Sequence, residues 1–290
     1  MKGLDLRLPS PLIEVHDELL SARGVRLYLK RDDLIHPELI GNKWRKLKYN
    51  LEEARAESQS TLLTFGGAYS NHIRAVATSG YYFDFDTIGI IRGEEHLPLN
   101  EFLASAVNYG MQLVYMDRVT YRRKTNPEVI DSLRSRFGDF YLLPEGGSNA
   151  LALRGCAELV EEIDIEFDTI CCSCGTGGTL AGIASALCEE QRALGFSTLK
   201  GGSFLFEEVS NLQKSAYGHS AANWSIELDY HFGGFAKRTR ELDEFISSFA
   251  ARHGVTLDWI YEAKMMFGLL DLIGRGEFER GSTIVAVIAG

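Results

Sequence analysis

The chain has 290 residues, of which 45% are hydrophobic and 24% are charged, the composition of an ordinary globular protein with about two domains. Its formal net charge of −10 argues against nucleic-acid binding, because phosphate backbones are bound by clustered lysine and arginine. The N-terminal segment lacks the apolar stretch of a signal peptide, and no apolar run reaches about 18 residues. We therefore expect a cytoplasmic protein without a membrane span.

Short strand-like segments alternate with longer helix-like segments along the chain. Apolar runs predict strands at Val25–Lys30, Thr61–Phe65, Thr87–Ile91, Gln112–Met116, Phe140–Leu143, Thr169–Cys172 and Thr283–Ile288. Apolar residues three and four positions apart predict helices at Trp44–Ala56, Leu99–Tyr109, Leu151–Ile163, Leu180–Leu187 and Met265–Ile273. This alternation predicts an α/β fold with mostly parallel sheets, and it contains too many units for one small sheet.

Three of the five cysteines, Cys171, Cys172 and Cys174, fall in or beside one predicted strand. A buried free cysteine behaves as a small hydrophobic residue. No further pair of cysteine or histidine residues has the spacing of a zinc site. We expect reduced thiols and no metal centre.

A glycine-rich segment, Gly175-Thr176-Gly177-Gly178-Thr179, follows a predicted strand and precedes a predicted helix. Backbone N–H groups and the positive end of the helix dipole at such a turn bind phosphate. A tight turn without a ligand explains the segment equally well. The segment is not a Walker A motif, because no Gly-Lys-Ser/Thr follows, and it is a poor dinucleotide fingerprint.

The segment from Gly41 to Lys46 places a lysine at the start of a predicted helix. The helix dipole disfavours a positive charge there and tends to lower the pKa of Lys43. A neutral amine is the form that gives a Schiff base with a carbonyl group. A basic surface helix is an alternative interpretation, because the basic residues do not share one helix face: Lys43, Arg45, Lys46 and Lys48.

Ser70, Asn71 and His72 follow another predicted strand and enter a helix. Ser70 or Asn71 is expected to cap that helix or to hold a ligand's hydroxyl or carboxylate at its N-terminus. His72 is a candidate base, but a histidine in a first helical turn more often has a structural role.

The segment Tyr261-Glu262-Ala263-Lys264 lies just before the apolar helix predicted at Met265–Ile273. A glutamate in a first helical turn can be a simple partner of the helix dipole, and Tyr261 can belong to the core. Neither residue indicates a function by itself.

The order of the motifs is more specific than any one of them. In chain order they are Arg31-Asp32-Asp33, Gly41-Asn42-Lys43-Trp44-Arg45-Lys46, Ser70-Asn71-His72, Pro144-Glu145-Gly146-Gly147-Ser148, Gly175-Thr176-Gly177-Gly178-Thr179 and Tyr261-Glu262-Ala263-Lys264. Over nearly the whole chain this series resembles the 1-aminocyclopropane-1-carboxylate (ACC) deaminase and D-cysteine desulfhydrase family. The resemblance implies a tryptophan-synthase-β-like fold with two open, twisted, mostly parallel sheets flanked by helices. It also implies pyridoxal 5'-phosphate as cofactor, a large cofactor domain (residues 1–44 and 145–290), a small domain (45–144) and a homodimer.

The resemblance implies how the cofactor is held. Lys43 stands at the position of the Schiff-base lysine, and Lys46 at that of a lysine contacting the phosphate. Gly175, Thr176, Gly177, Gly178 and Thr179 match the phosphate cup. Asn71 matches the partner of the pyridine 3-oxygen, and Glu262 stands beside the pyridine nitrogen, where a carboxylate favours a protonated ring.

On the substrate side, Ser70 matches a serine near the substrate carboxylate, and Tyr261 matches a tyrosine facing the substrate. Three positions depart from the ACC deaminase pattern. Phe235 replaces a second tyrosine, His72 is the desulfhydrase-like choice, and Ala289 has neither usual residue at a position that discriminates substrates. Phe235 has no hydroxyl group that could lower the pKa of Tyr261.

The expected function is deamination of a small amino acid to ammonia and a 2-oxo acid, with Lys43 and Tyr261 as acid and base candidates. Glu262 favours an ACC deaminase, because desulfhydrases of the family typically carry threonine there. The alternatives are a D-cysteine desulfhydrase or D-serine-type lyase, a protein that binds the cofactor without efficient turnover, and a plain nucleotide-binding α/β protein.

Overall fold

The computed structural model describes residues 4–39 and 41–290. Within these residues the strands are β1 (Leu12–Val15), β2 (Arg26–Arg31), β3 (Thr61–Gly66), β4 (Asp86–Arg92), β5 (Gln112–Met116), β6 (Tyr141–Leu143), β7 (Thr169–Cys174), β8 (Arg192–Ser197), β9 (Trp224–Glu227) and β10 (Thr283–Ile288). The α-helices are α1 (Glu18–Arg23), α2 (Asn42–Ala56), α3 (Asn71–Phe83), α4 (Glu101–Asn108), α5 (Arg118–Arg122), α6 (Pro127–Phe137), α7 (Ala150–Glu161), α8 (Gly178–Ala186), α9 (Leu205–Tyr217), α10 (Arg240–His253) and α11 (Glu262–Arg275).

The described residues form two compact units. The first unit contains residues 4–6 and 47–147, and the second contains residues 7–39, 41–46 and 148–290. The domains expected from the sequence, 1–44 with 145–290 and 45–144, stay a prediction that limited proteolysis would test. No helix within the described part of the chain is both long and apolar enough to cross a membrane.

The first unit is built on a parallel sheet. Its strand order among the described residues is β5-β4-β3-β6, and every pairing is parallel. Leu63 and Phe65 of β3 pack with Ile88 and Ile90 of β4 in the core of this unit. Both strands are buried along most of their length, as expected for a parallel sheet covered by helices.

The second unit is built on a larger sheet of order β1-β2-β10-β7-β8-β9, as far as the described residues show. Strand β1 pairs antiparallel with β2, and the other pairings are parallel. Successive side chains of a strand point to opposite faces of a sheet. Accordingly, Ile284 and Ala286 of β10 pack in one hydrophobic cluster with α10 and α11, and Val285 and Val287 pack in another with α7 and α8.

These features confirm the predicted α/β fold with mostly parallel sheets. The bounds of β5 and β10 agree with the sequence prediction, and the other predicted strands and helices differ from it by a few residues. The sequence did not reveal β1, β8 or β9, nor the helices α1, α5, α6, α9 and α10. Cys171, Cys172 and Cys174 are buried, and they are free thiols.

Candidate active site

Several of the residues selected from the sequence lie at the carboxyl ends of the parallel strands in the second unit. Asp32 follows β2, Gly175 follows β7 and Ala289 follows β10. In open α/β sheets, ligands bind outside the carboxyl ends of the strands. The sheet topology therefore assembles a candidate site at this edge.

The glycine-rich segment after β7 forms the floor of the site. Gly177, with φ of +77°, precedes α8, and no described side chain caps this helix. The first N–H groups of α8 are therefore available to a ligand. Gly178 leaves space that any other residue would fill, because a Cβ there would lie 2.4 Å from Ser148 Oγ and 3.1 Å from Lys46 Nζ.

Polar groups converge on the same glycine. Lys46 Nζ donates a hydrogen bond to Ser148 Oγ at 3.2 Å, and Ser148 Oγ lies 2.7 Å from Thr176 Oγ1. The Lys46 side chain is buried, and desolvation lowers its pKa. An ammonium group, two hydroxyl groups and the N-terminus of α8 together suit a phosphate.

Lys43 lies one helical turn before Lys46, at the start of α2. Its Nζ donates to Asn42 Oδ1 at 2.8 Å, and Asn42 Nδ2 donates to Thr179 Oγ1 at 2.9 Å. Desolvation and the positive charge of Lys46 lower the pKa of Lys43 to about 7. A large fraction of Lys43 is therefore the neutral, nucleophilic amine near neutral pH.

A buried ionic cluster anchors this part of α2. Arg45 Nε donates to Asp32 Oδ2 at 2.7 Å, Arg45 Nη1 donates to Glu162 Oε1 at 2.8 Å, and Lys30 Nζ lies 2.8 Å from Glu162 Oε2. Burial raises the pKa of Glu162, but hydrogen bonds and charge from Arg45 and Lys30 outweigh this effect and lower the pKa to about 2.

The alternative interpretation of α2 as a basic surface helix is wrong. The side chains of Arg45 and Lys46 are buried, since these residues are only 1% and 3% exposed.

Glu262 begins α11 and is buried. Burial, followed by the nearby carboxylate of Asp258, raises its pKa well above the ordinary value. Asp258 accepts hydrogen bonds from the backbone N–H groups of Ile260 and Tyr261, which fixes the turn before α11. Among the described residues Glu262 Oε2 has no hydrogen-bond partner, and a buried polar atom of this kind is normally completed by a water molecule or a ligand.

Tyr261 lies between the glycine-rich segment and Phe235. A Cβ at Gly175 would lie 3.2 Å from Tyr261 Cε1 and 3.4 Å from its hydroxyl oxygen. On the other side, the rings of Phe235 and Tyr261 meet edge to face with centroids 5.9 Å apart. The two rings form an aromatic wall beside the glycine-rich segment.

The remaining predicted residues belong to the first unit. Ser70 caps α3, accepting a hydrogen bond from Ile73 N at 3.4 Å, which is one of the alternatives that the sequence left open. His72 Nε2 lies 2.9 Å from Thr64 Oγ1, which supports the structural interpretation of this histidine. Asn71 is buried beside them. The ligand contacts expected of Ser70 and Asn71 stay predictions.

The family follows from comparison with known proteins. The sequence profile of a family described as pyridoxal-phosphate dependent enzyme matches residues 4–290. The chain belongs to this family. The matches confirm the predicted fold and pyridoxal phosphate as the cofactor of this enzyme.

Two relatives and one solved structure similar to this pyridoxal-phosphate dependent enzyme have related names. A Pyrococcus furiosus protein provisionally named 1-aminocyclopropane-1-carboxylate deaminase is 33% identical over 282 residues, covering 92% of this chain and 85% of that protein. An Arabidopsis thaliana protein named bifunctional D-cysteine desulfhydrase/1-aminocyclopropane-1-carboxylate deaminase, mitochondrial, is 30% identical over 277 residues, covering 86% of this chain and 68% of that protein. A crystal structure described as an ACC deaminase homologue matches with a TM-score of 0.86 at 27% identity, covering all of this chain and 91% of that chain.

The residues of the second unit fit the cofactor. The cradle at Gly178 with Lys46 suits a phosphate, and Lys43 supplies a reactive amine. Glu262 Oε2 is a buried acceptor that a pyridine N–H would complete. These three features match the phosphate, the aldehyde group and the pyridine nitrogen of pyridoxal phosphate, respectively.

Three supporting residues of the site, Asn42, Ser148 and Asp258, could not be recognised from the sequence. Asn42 and Ser148 stood inside the quoted motifs, but nothing in the sequence showed that they hydrogen-bond Lys43 and Lys46. Asp258 had no sequence signal, because its contact with Glu262 depends on the turn that precedes α11.

Proposed function

We propose that the protein deaminates a small amino acid to ammonia and a 2-oxo acid, as an ACC deaminase does. The observation that carries this proposal is the buried carboxyl group of Glu262 at the start of α11, whose Oε2 has no hydrogen-bond partner among the described residues. A carboxylate beside the pyridine nitrogen keeps that nitrogen protonated and so strengthens the cofactor as an electron sink. The names of the relatives from Pyrococcus furiosus and Arabidopsis thaliana support the same reaction class.

The proposed cofactor contacts combine the geometry of the second unit with the family resemblance. Lys43 binds the cofactor covalently through Nζ, and Lys46 binds the phosphate together with Gly175, Thr176, Gly177, Gly178 and Thr179. Glu262 binds the pyridine nitrogen, and Asn71 binds the 3-oxygen. Bound pyridoxal phosphate supplies an electron sink for a carbanion at the substrate α-carbon.

Proton transfer is assigned to two side chains. The pKa of Lys43 near 7 lets its amine accept and return a proton close to physiological pH, where a general base is most effective. Tyr261 contributes a phenol beside the glycine-rich segment. We propose that Ser70 binds the carboxylate of the substrate.

A D-cysteine desulfhydrase, or a related D-serine lyase, is the second candidate. Phe235 presents a hydrocarbon ring to Tyr261, so it offers no hydroxyl that would lower the pKa of the phenol. His72 and Ala289 also depart from the deaminase pattern. The name of the Arabidopsis thaliana relative combines both activities. The products would then be sulfide, ammonia and pyruvate from D-cysteine, or ammonia and pyruvate from D-serine.

A substrate panel tests the proposal. The purified enzyme with added cofactor is offered ACC, D-cysteine, D-serine and the L-forms of the last two, and 2-oxo acid, ammonia and sulfide are measured. Product from ACC supports the deaminase, whereas product and sulfide from D-cysteine alone would support the desulfhydrase. A bound cofactor band without any product would leave a cofactor-binding protein without efficient turnover.

We further propose a cytoplasmic homodimer, in line with the family resemblance. Light scattering coupled to size exclusion measures the mass in solution against 32.3 kDa for one chain. A mass of one chain across a range of protein concentrations would contradict the homodimer.

A further inference from the structure

A short loop after β9 has an unusual backbone. In the 231–236 loop (residues His231 to Ala236), Phe232 and Ala236 have φ values of +50° and +51°, and Gly233 and Gly234 have +91° and +117°. Positive φ is costly for phenylalanine and alanine, which carry a Cβ. Strained backbone of this kind persists only where its surroundings hold it, and it is concentrated at functional sites.

Lys264 on α11 holds this loop. Its Nζ donates hydrogen bonds to the carbonyl oxygens of His231 at 3.0 Å and Gly234 at 2.8 Å. The same two oxygens accept the turn hydrogen bonds from Gly234 N and Lys237 N. The ammonium group therefore joins two consecutive turns at the carbonyl oxygen that begins each of them.

The position of Lys264 makes this arrangement specific. The residue is 1% exposed, and a buried ammonium group is costly unless it is hydrogen-bonded. Burial lowers its pKa to about 8, while the charge of Asp258 raises it, so the group is mostly protonated at neutral pH. Hydrogen bonds to a charged donor are stronger than neutral ones, which suits a clamp on a strained loop.

The loop that Lys264 holds carries Phe235, one of the two rings of the aromatic wall. Phe235 lies within the 231–236 loop and contacts Tyr261, which directly precedes α11. Lys264 lies three residues after Tyr261 along the chain. The N-terminal turn of α11 thus carries one of the two rings and, through Lys264, fixes the loop that carries the other.

We propose that Lys264 is a positioning residue that clamps the 231–236 loop and thereby sets the place of Phe235 against Tyr261, so that the clamp determines which amino-acid side chain the site accepts. The selectivity part rests on the proposed function, because it takes Tyr261 to face the amino acid. The clamp itself is independent of any reaction.

Hydrogen exchange of the cofactor-free protein tests the clamp. In Lys264→Met the peptide spanning residues 229–239 should exchange about 10- to 100-fold faster, as expected for losing hydrogen bonds to a charged group. The matched control is Tyr230→Phe, since the Tyr230 hydroxyl also ties this segment to α11 through Asp271 at 2.7 Å but lies outside the loop. Its exchange in residues 231–239 should remain that of the wild type.

Amino-acid binding to the cofactor-loaded protein tests the selectivity. ACC, D-cysteine and D-serine are titrated by cofactor absorbance, and Lys264→Met should change the ratios of their dissociation constants about tenfold, with cofactor affinity retained. A purely structural role would weaken the three amino acids alike. Equal ratios in Lys264→Met, Tyr230→Phe and the wild type would overturn the selectivity, and unchanged exchange would overturn the clamp.

A second variant covers the case in which Lys264→Met does not fold. Gly234→Ala forces a Cβ onto a residue with φ of +117° and leaves Lys264 intact. Its control is Gly218→Ala, where φ is +80° and an added Cβ meets nothing within 4 Å. Gly234→Ala alone should alter the binding ratios. If the wild type binds none of the amino acids, the proposed function and the selectivity part fail together, while exchange still decides the clamp.

Discussion

The helices α2 and α11 both begin at the candidate site, but α2 places a basic group there, the amine of Lys43, and α11 an acidic one, the carboxyl group of Glu262. At the start of α2, burial and the positive end of the helix dipole both disfavour the ammonium form of Lys43, and its pKa falls to about 7. At the start of α11 the dipole favours a carboxylate, yet burial and Asp258 raise the pKa of Glu262. The dipole contributes about 0.3–1 kcal/mol at exposed ends, whereas full burial shifts a pKa by up to about 3–5 units. Desolvation therefore decides the charge state at both helix starts.

The largest effect is expected at the start of α2. Lys43→Ala removes the reactive amine, so covalent capture of pyridoxal phosphate should disappear and turnover should fall about 10³-fold. Borohydride reduction followed by mass spectrometry measures the covalent adduct. Lys48→Ala, on the same helix, is the control and should keep the adduct. An adduct that survives in Lys43→Ala would contradict the assignment of the covalent lysine.

The second prediction concerns the ionic cluster that anchors α2. Asp32→Asn removes one of the carboxylates that pair with the buried guanidinium of Arg45. We therefore expect the free energy of unfolding to fall by about 3–5 kcal/mol. Asp33→Asn is the matched control, because Asp33 pairs with Arg31 in a more exposed position. Asp33→Asn should lower the free energy of unfolding by less than about 1 kcal/mol. Urea unfolding measures both variants, and equal losses would contradict the anchoring role.

The third prediction concerns the start of α11. Glu262→Gln should lower turnover about 10²-fold, the loss typical of removing one positioned acid or base. Glu241→Gln is the control, because Glu241 lies in the first turn of α10 but is exposed. Full activity in Glu262→Gln would contradict the proposed contact with the pyridine nitrogen.

The same variant has a pH signature in the cofactor-free protein. Because the folded-state pKa of Glu262 lies above its ordinary value of 4.5, this group stabilises the fold below pH 4.5 and loses that contribution as pH rises. Urea unfolding should therefore show a smaller loss of stability with rising pH in Glu262→Gln than in the wild type. Parallel pH profiles would show that the carboxyl group titrates normally.

The smallest effect is a shift in pH dependence at α2. Pyridoxal without its phosphate should be captured by Lys43 with a midpoint near pH 7, since only the neutral amine reacts. Lys46→Met removes a positive charge that lowers this pKa, so the midpoint should move to higher pH. Omitting the phosphate separates this effect from the proposed phosphate contact of Lys46. An unchanged midpoint would show that burial alone sets the pKa of Lys43.

Several strands could be located from sequence because their pattern is local. The run Thr283–Ile288 is continuously apolar and became β10, a strand buried on both faces. Strand β8 escaped prediction because Gly195 interrupts its apolar run. In the fold that glycine is required, since a Cβ there would lie 2.6 Å from Cys174 Sγ and 2.7 Å from Leu180 Cδ2. Cys174 belongs to β7 and Leu180 to α8, so glycine is required at this position by contacts with two other elements. A local sequence pattern cannot show such contacts.

At the candidate site, too, some features follow from the local sequence and others depend on contacts between distant elements. By itself the sequence determined the fold class, the family and the chemical types required: a lysine at a helix start, a glycine-rich turn and a carboxylate before an apolar helix. Only the tertiary structure decided that Arg45 and Lys46 are buried, that Asp258 faces Glu262 and that Lys264 holds the 231–236 loop. Motifs are read along the chain, whereas burial and pKa depend on neighbours that folding brings from distant positions.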